Sequence, residues 1–456
     1  MLVNYPSFWR SQPGQETERP LAHTGSPWHL FISDVNLFFS NILYIPLIFL
    51  PLYPWPSGSL DELYPSWENL FDITLHCILF VLQLTFLVTL PLLIFNPVSV
   101  YLVYISAVLC LNALICWHFN RSIPEDGLPS TEDEYSRQWT AHDDEYWIFL
   151  NGICVGKHWL QNNIDRLSRT FHRPVVGVHN KTYGVVFDLV QCLIQRALLY
   201  ATSDIRDCYV LVKKALYRPG VKRVVLILHS QGGIEGGMIL DWLLDEIPQD
   251  LLQILEVYTF GCLANHFSNP SRSRVSSATA ASESKRTAPQ ATNPRAISHI
   301  EHYANAYDFA SRWGVLNFTG IDPKKHLENR FMGKVFVNPR AGHQLNQHYL
   351  DSIFPLDQTG RFTREPIAGD FMQMDSSAET PDRYAGQEQP ESCLAHSSQT
   401  GELETASNSI LQRNDVEQSV LGSAAMDGSS NGVRNNGTVQ MGQISRLWKY
   451  RNGGRP

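Results

Sequence analysis

Residues 73–95 and 98–117 form two apolar runs with no Asp, Glu, Lys or Arg between them. At helical rise the first covers about 35 Å, enough for a hydrocarbon core of about 30 Å. His76, Gln83 and a few threonines are its only polar side chains, and Pro91 is compatible with a membrane helix. Asn96-Pro97 marks a turn between the runs. Tyr101, Tyr104 and Trp117 suit interfacial anchors, and Arg121 ends the second run. A soluble surface helix shows a polar face that these runs lack. We therefore expect a transmembrane helical hairpin over residues 71–120, against the alternative of two helices buried in a soluble core. Residues 35–52 are also apolar, but shorter and broken by Pro46 and Pro51. They lie in the interface or make a third crossing. Flanking Lys and Arg are too sparse for the positive-inside rule to orient the hairpin.

Residues 1–30, rich in Pro, Trp and Gln, have no compact apolar centre and do not read as a signal peptide. The 456-residue chain carries a net charge of −8 and no basic stripe, which argues against nucleic-acid binding. Its eight cysteines are scattered without a Cys-x-x-Cys pair, against a zinc ribbon or disulfide framework. Reduced thiols imply a globular part facing the cytosol. Asn180, Asn317 and Asn436 stand in Asn-x-Thr sequons that matter only in a lumenal domain.

Residues 121–144 are acidic and polar, a juxtamembrane linker. From Tyr146 the pattern alternates between apolar strands and amphipathic helices. Strands are expected at 146–150, 174–178, 223–229, 254–260, 299–304 and 334–337. Helices are expected at 158–171, over 185–217 with a break near Ser203-Asp204, from Ile234 to Ile247, and at 344–353. Strands spaced by helices imply an α/β fold with a mainly parallel, doubly wound sheet over residues 145–356. Residues 267–296 lack apolar periodicity and read as a disordered insertion, too polar for an apolar lid. Residues 357–456 read as a disordered tail. Within it, residues 444–451 mix Arg, Lys, Trp and Tyr, a docking motif or simply a solvated end.

The strand Val224-Val225-Leu226-Ile227-Leu228-His229 ends abruptly in Ser230, and Gln231-Gly232-Gly233 follows. A serine on such a corner is held clear of the sheet, with helix N-terminal amides behind it. The stretch Leu228-His229-Ser230-Gln231-Gly232 resembles the Gly-x-Ser-x-Gly nucleophile elbow of the α/β-hydrolases, with Leu228 replacing the first glycine. Gly232, Gly233, Gly236 and Gly237 would compensate by letting the helix lie close to the strand. An ordinary βα turn whose serine caps the helix is the competing reading. Tyr258-Thr259-Phe260-Gly261 is similar to the Thr-Phe-Gly strand end of lipase-like members.

A serine hydroxyl needs an adjacent base, and the base an orienting acid. The family order Ser, Asp, His places the acid after a late strand and the histidine after the last one. By that resemblance Asp308 is the acid and His343 the general base. Each has a plain alternative as a helix cap. His348 is a rival base; Asp322 and Glu301 are rival acids. The resemblance also makes the amides of Gln231 and Ile153 the oxyanion donors, with Cys154 the competing neighbour of Ile153. Cys154 has no histidine sited to activate it as a nucleophile. Together these features imply a membrane-anchored serine hydrolase cleaving lipid esters or acyl-thioesters, with no metal or organic cofactor. A catalytically inactive membrane adaptor on the same fold is the alternative; a peptidase would need a pocket the sequence does not reveal.

Overall fold

β-Branched and aliphatic strands build one eight-stranded sheet in the computed structural model. It describes residues 7–9, 25–124, 126–132, 136–272, 295–319, 330–356, 370–375 and 439–456, all within one compact unit. The strands are β1 Ser7–Trp9, β2 Leu128–Pro129, β3 Glu145–Leu150, β4 Val175–Val178, β5 Arg223–His229, β6 Leu255–Phe260, β7 His299–Asn305 and β8 Lys334–Asn338. Their order is β1-β8-β7-β6-β5-β3-β4-β2. Strands β3 to β8 run parallel, and β1 and β2 close the two edges antiparallel. The mainly parallel sheet with helices is thus present.

Helices cover both faces, which is why β5 and β6 are apolar without alternation. Period-2 geometry then sends Val224, Leu226 and Leu228 into one core layer and Val225 and Ile227 into the other. Helices α4 (Lys157–Phe171), α5 (Val185–Leu198), α6 (Ser203–Leu216) and α7 (Gln231–Glu246) supply the covering side chains. The break expected near Ser203 is the join of α5 and α6, where Leu199 ends α5 in the left-handed region (φ 52°). From β3 the chain steps to β4 on one side, then returns to β5 on the other. The carboxyl ends of β3 and β5 therefore form the topological switch point, where open α/β sheets place ligands.

The two apolar runs form helices α2 (Trp67–Thr89) and α3 (Val98–Asn120), each long and apolar enough to cross a membrane. Helix α2 starts earlier than the apolar run because Ser66 caps it, its hydroxyl accepting from Asn69 N at 3.1 Å. It stops before Pro91, which has no amide to donate. Its buried face is Asn69, Asp72, His76, Leu79, Gln83 and Phe86. Spacings of three and four put these on one stripe. The stripe is mostly polar, while Leu70, Phe80, Val81, Leu84 and Val88 face outward, the inverse of a soluble amphipathic helix.

Several regions differ from the sequence reading. Residues 35–52, expected in the interface or as a third crossing, also contact the sheet domain. Helix α1 (Pro27–Ser40) and a 3₁₀ segment, Ile42–Ile48, bend by 67° and pack on the sheet domain. Asp34 forms a buried ion pair with Arg196 at 2.8 Å, and Phe38 packs edge-on against Phe309 and Trp313. The expected linker contributes β2, paired to β4. Of the expected insertion, Phe267 and Ala296 are buried, and residues 273–294 lie outside the described residues. Two pieces of the expected tail, 370–375 and 439–456, pack on the core through Phe371, Met441, Leu447 and Tyr450. The helix expected at 344–353 is a π-turn, Leu345–Leu350, continued by Asp351–Ile353.

Candidate active site

The strand-to-helix corner forces Ser230 to φ 56° and ψ −119°, a conformation that costs a non-glycine residue about 1–3 kcal/mol. The surroundings hold it there. Phe260 O accepts from Ser230 N, and Ser230 O accepts from Gly233 N and Leu263 N. A Cβ on Gly232 would stand 2.6 Å from Leu150 O, so only glycine lets α7 come this close to β3. The departure at Leu228 is accommodated by Gly236. Its missing Cβ leaves the space that the Leu228 side chain fills, and Leu228 is fully buried there.

His343, after β8, and Asp308, after β7, reach the same edge. His343 Nε2 lies 2.8 Å from Ser230 Oγ, and His343 Nδ1 lies 2.9 Å from Asp308 Oδ2. Burial raises the Asp308 pKa. The His343 imidazole and hydrogen bonds from Tyr349 and Ala310 N outweigh burial and hold it below the ordinary value. An ionised Asp308 accepts only, so Nδ1 carries the imidazole proton and Nε2 is left to accept from the serine. Tyr349 Oη donates to Asp308 Oδ2 at 2.7 Å, and Ser311 Oγ donates to the same oxygen at 3.0 Å. Asp308 also caps the short helix Phe309–Trp313 through Ala310 N and Ser311 N. The cap reading and the line of three side chains are therefore both present in one carboxylate.

His229 was not singled out by sequence reasoning. Its ring stacks on His343 at 4.8 Å, and its Nε2 donates to His343 O at 2.9 Å. Burial, then the neighbouring His343, pushes its pKa down to about 3, so it stays neutral beside the base. Its adjacency to Ser230 was the available signal. Tyr349 had none, because a tyrosine beside Leu345 and Leu350 reads as core.

The loop after β3 runs against the serine. A Cβ on Gly152 would lie 2.5 Å from Ser230 Cβ and 3.1 Å from its Oγ. Cys154 N donates to Asp188 Oδ2 at 3.1 Å and is thereby committed, whereas the amides of Ile153 and Gln231 have no acceptor among the described residues. Burial and the nearby Asp188 push the Cys154 thiol well up, against a thiolate. Behind the corner runs a buried polar chain. Asn180 Nδ2 donates to Gln231 Oε1 at 2.8 Å, Gln231 Nε2 to Gln195 Oε1 at 2.8 Å, and Gln195 Nε2 to Glu235 Oε1 at 3.4 Å. Burial and the facing Asp204 push the Glu235 carboxyl well above its ordinary value. The Asn180 sequon is thus buried inside this chain.

The rivals are placed elsewhere. His348 Nε2 donates to Pro51 O, and its Nδ1 accepts from Gln344 N, so both nitrogens are occupied. Glu301 lies at the amino-terminal part of β7, bonded to His299 and Tyr303. Asp322 is outside the described residues. The segment 42–52 borders the base: Ile48 O accepts from His343 N at 3.2 Å. Ser230 is 1 % exposed, His343 7 % and Asp308 0 %, so the serine is sealed from solvent.

Comparison with protein-family models, with curated proteins and with solved structures returns no match.

Proposed function

We propose that this chain is a membrane-associated serine hydrolase of α/β-hydrolase type that cleaves acyl esters, lipid esters or acyl-thioesters. The observation that carries the reading is the line from Ser230 Oγ to His343 to Asp308, with contacts of 2.8 and 2.9 Å, at the switch point of a parallel sheet. In this mechanism Nε2 takes the serine proton as Oγ attacks the acyl carbon. Asp308 holds the resulting imidazolium in place. The amides of Gln231 and Ile153 stabilise the oxyanion. The imidazolium returns its proton to the leaving alcohol or thiol, and water, deprotonated by the same ring, releases the acid. Outward apolar faces on α2 and α3 support a substrate drawn from lipid. The unbridged cysteines support a cytosolic site.

A fluorophosphonate probe tests the reading. The chain is expected to label covalently and Ser230→Ala to lose the label completely; label retained by Ser230→Ala ends the assignment. The adaptor reading draws on the near-zero exposure of Ser230. Absence of turnover across ester chain lengths, by folded protein in lipid, would favour it.

A further inference from the structure

We infer that helices α1, α5, α2 and α3 form a platform lying in the plane of one leaflet, so that the α2–α3 hairpin enters the bilayer without crossing it. The inference stands apart from the proposed chemistry.

Its first support is where α2 touches the sheet domain. Asn69 Oδ1 accepts from Trp159 Nε1 at 2.8 Å near one end of the helix. His76 stacks on Trp159 with ring centroids 5.7 Å apart. Gln83 donates to Tyr183 O at 2.5 Å and accepts from Val186 N at 3.0 Å. Phe86 meets Phe187 near the other end, at 6.2 Å. From Asn69 to Phe86 is about 25 Å of helix. An anchor that crosses a membrane meets its globular domain at one end; α2 meets it along most of its length. If α2 stood upright in the bilayer, the start of α5 and the loop before it, with exposed Lys181, would be drawn deep into hydrocarbon. Burying an unpaired charge there is costly.

The second support is lateral. Helix α5 packs against both α1 and α2, and α2 against α3. Each exposes large apolar side chains: Trp28 and Ile32 on α1, Val190 and Leu198 on α5, Val81 and Val88 on α2, Leu102 and Leu114 on α3. Exposed apolar side chains thus occur on all four adjacent helices, the kind of surface that marks an interaction site. The amides of Gln83 on α2 and Asn112 on α3 point to the protein instead: Asn112 Nδ2, like Gln83, donates to Tyr183 O. An apolar outer face backed by a polar inner one is what an interfacial helix requires.

Depth measurement tests this. Leu70, Val81 and Val88 lie on one outward line of α2, at spacings close to whole turns. Each is replaced singly (Leu70→Cys, Val81→Cys, Val88→Cys) in the full chain carrying Cys77→Ala, Cys110→Ala and Cys393→Ser. The protein is spin-labelled and reconstituted in phosphatidylcholine vesicles. Collision with oxygen against a water-soluble nickel chelate reports depth. The in-plane platform predicts three depths agreeing within about 5 Å, all about 5–10 Å below the headgroups. A crossing helix puts Val81 near the bilayer centre, about 10 Å deeper than Leu70, and that profile overturns the inference. Labels that remain in water overturn it equally. Phe71→Cys and Leu84→Cys, also outward, replace any variant whose far-ultraviolet circular dichroism departs from that of the parent.

Discussion

At the residue scale, Asp308 holds an imidazole, accepts two hydroxyls and caps a helix with one carboxylate. Removing its charge while keeping its shape separates these tasks. Asp308→Asn is expected to lower kcat about 10⁴-fold, because the amide favours the wrong imidazole tautomer, while the melting temperature falls only a few degrees. Ester turnover and a thermal melt on the same sample check it. Tyr349→Phe removes a single donor to Asp308. The expected loss is about tenfold in kcat/KM, a fraction of what general base catalysis contributes. Unchanged turnover in Tyr349→Phe would show that Ser311 and the backbone suffice to hold the acid. That Ser230, Asp308 and His343 each follow a strand was readable, because an apolar run precedes each of them. His229, Tyr349 and the Asn180–Gln231–Gln195 chain were not, since their roles depend on partners about 30 or more positions away.

At the element scale, the corner between β5 and α7 depends on two complementary residues. Leu228 is large, and Gly236 opposite is small. Gly236→Ala therefore forces overpacking against Leu228, expected to cost about 1–3 kcal/mol. Leu228→Ala alone opens a cavity and is expected to cost about 2–5 kcal/mol. Because each change makes room for or fills the other, the double variant should be more stable than the sum of the two by roughly 1 kcal/mol. Denaturant titration of all four proteins measures the coupling; additive costs would mean the two sites adjust independently. The same logic explains why α2 begins and ends away from its hydrophobic run. Ser66 and Pro91 set its limits, and capping chemistry overrides composition at the boundaries.

At the scale of the whole molecule, the carboxyl-terminal segment closes the sheet from the side opposite the site. Arg446 bonds Glu256 at 2.8 Å through Nη2, and Arg446 N donates to Glu301 Oε1 at 2.8 Å. Tyr450 Oη donates to Glu256 Oε2 at 2.8 Å. Burial raises the Glu301 pKa, but His299, Lys334 and the amide of Arg446 more than offset it, drawing it down to about 2 from 4.5. A carboxylate with a depressed folded pKa adds stability above its unfolded pKa and loses it as pH falls. Glu301 thus contributes roughly 3 kcal/mol that is present above pH 4.5 and disappears towards pH 2. Glu301→Gln is expected to be less stable at pH 7 by about that amount, with a flatter acid limb in urea titrations from pH 5 to 2. A wild-type acid dependence in that variant would place the sensitive group elsewhere.

Periodicity and punctuation by themselves determined strands β3 to β8, the apolar hairpin helices and the serine corner. Those signals are local: a run of apolar residues, a turn, a glycine step. The tertiary structure alone decided what the termini and the apolar segment before the hairpin do. Strand β1 pairs with β8, the 42–52 segment seats on the His343 loop, and residues 439–456 dock on β6 and β7 through buried carboxylates. Short segments have little propensity to fold alone; they gain order from surfaces that exist only once the sheet has formed. The polar stripe of α2 belongs with them. Within the chain it reads as a few tolerated polar residues; in the fold Gln83 donates to Asn112, and both donate to Tyr183 O in the loop after β4.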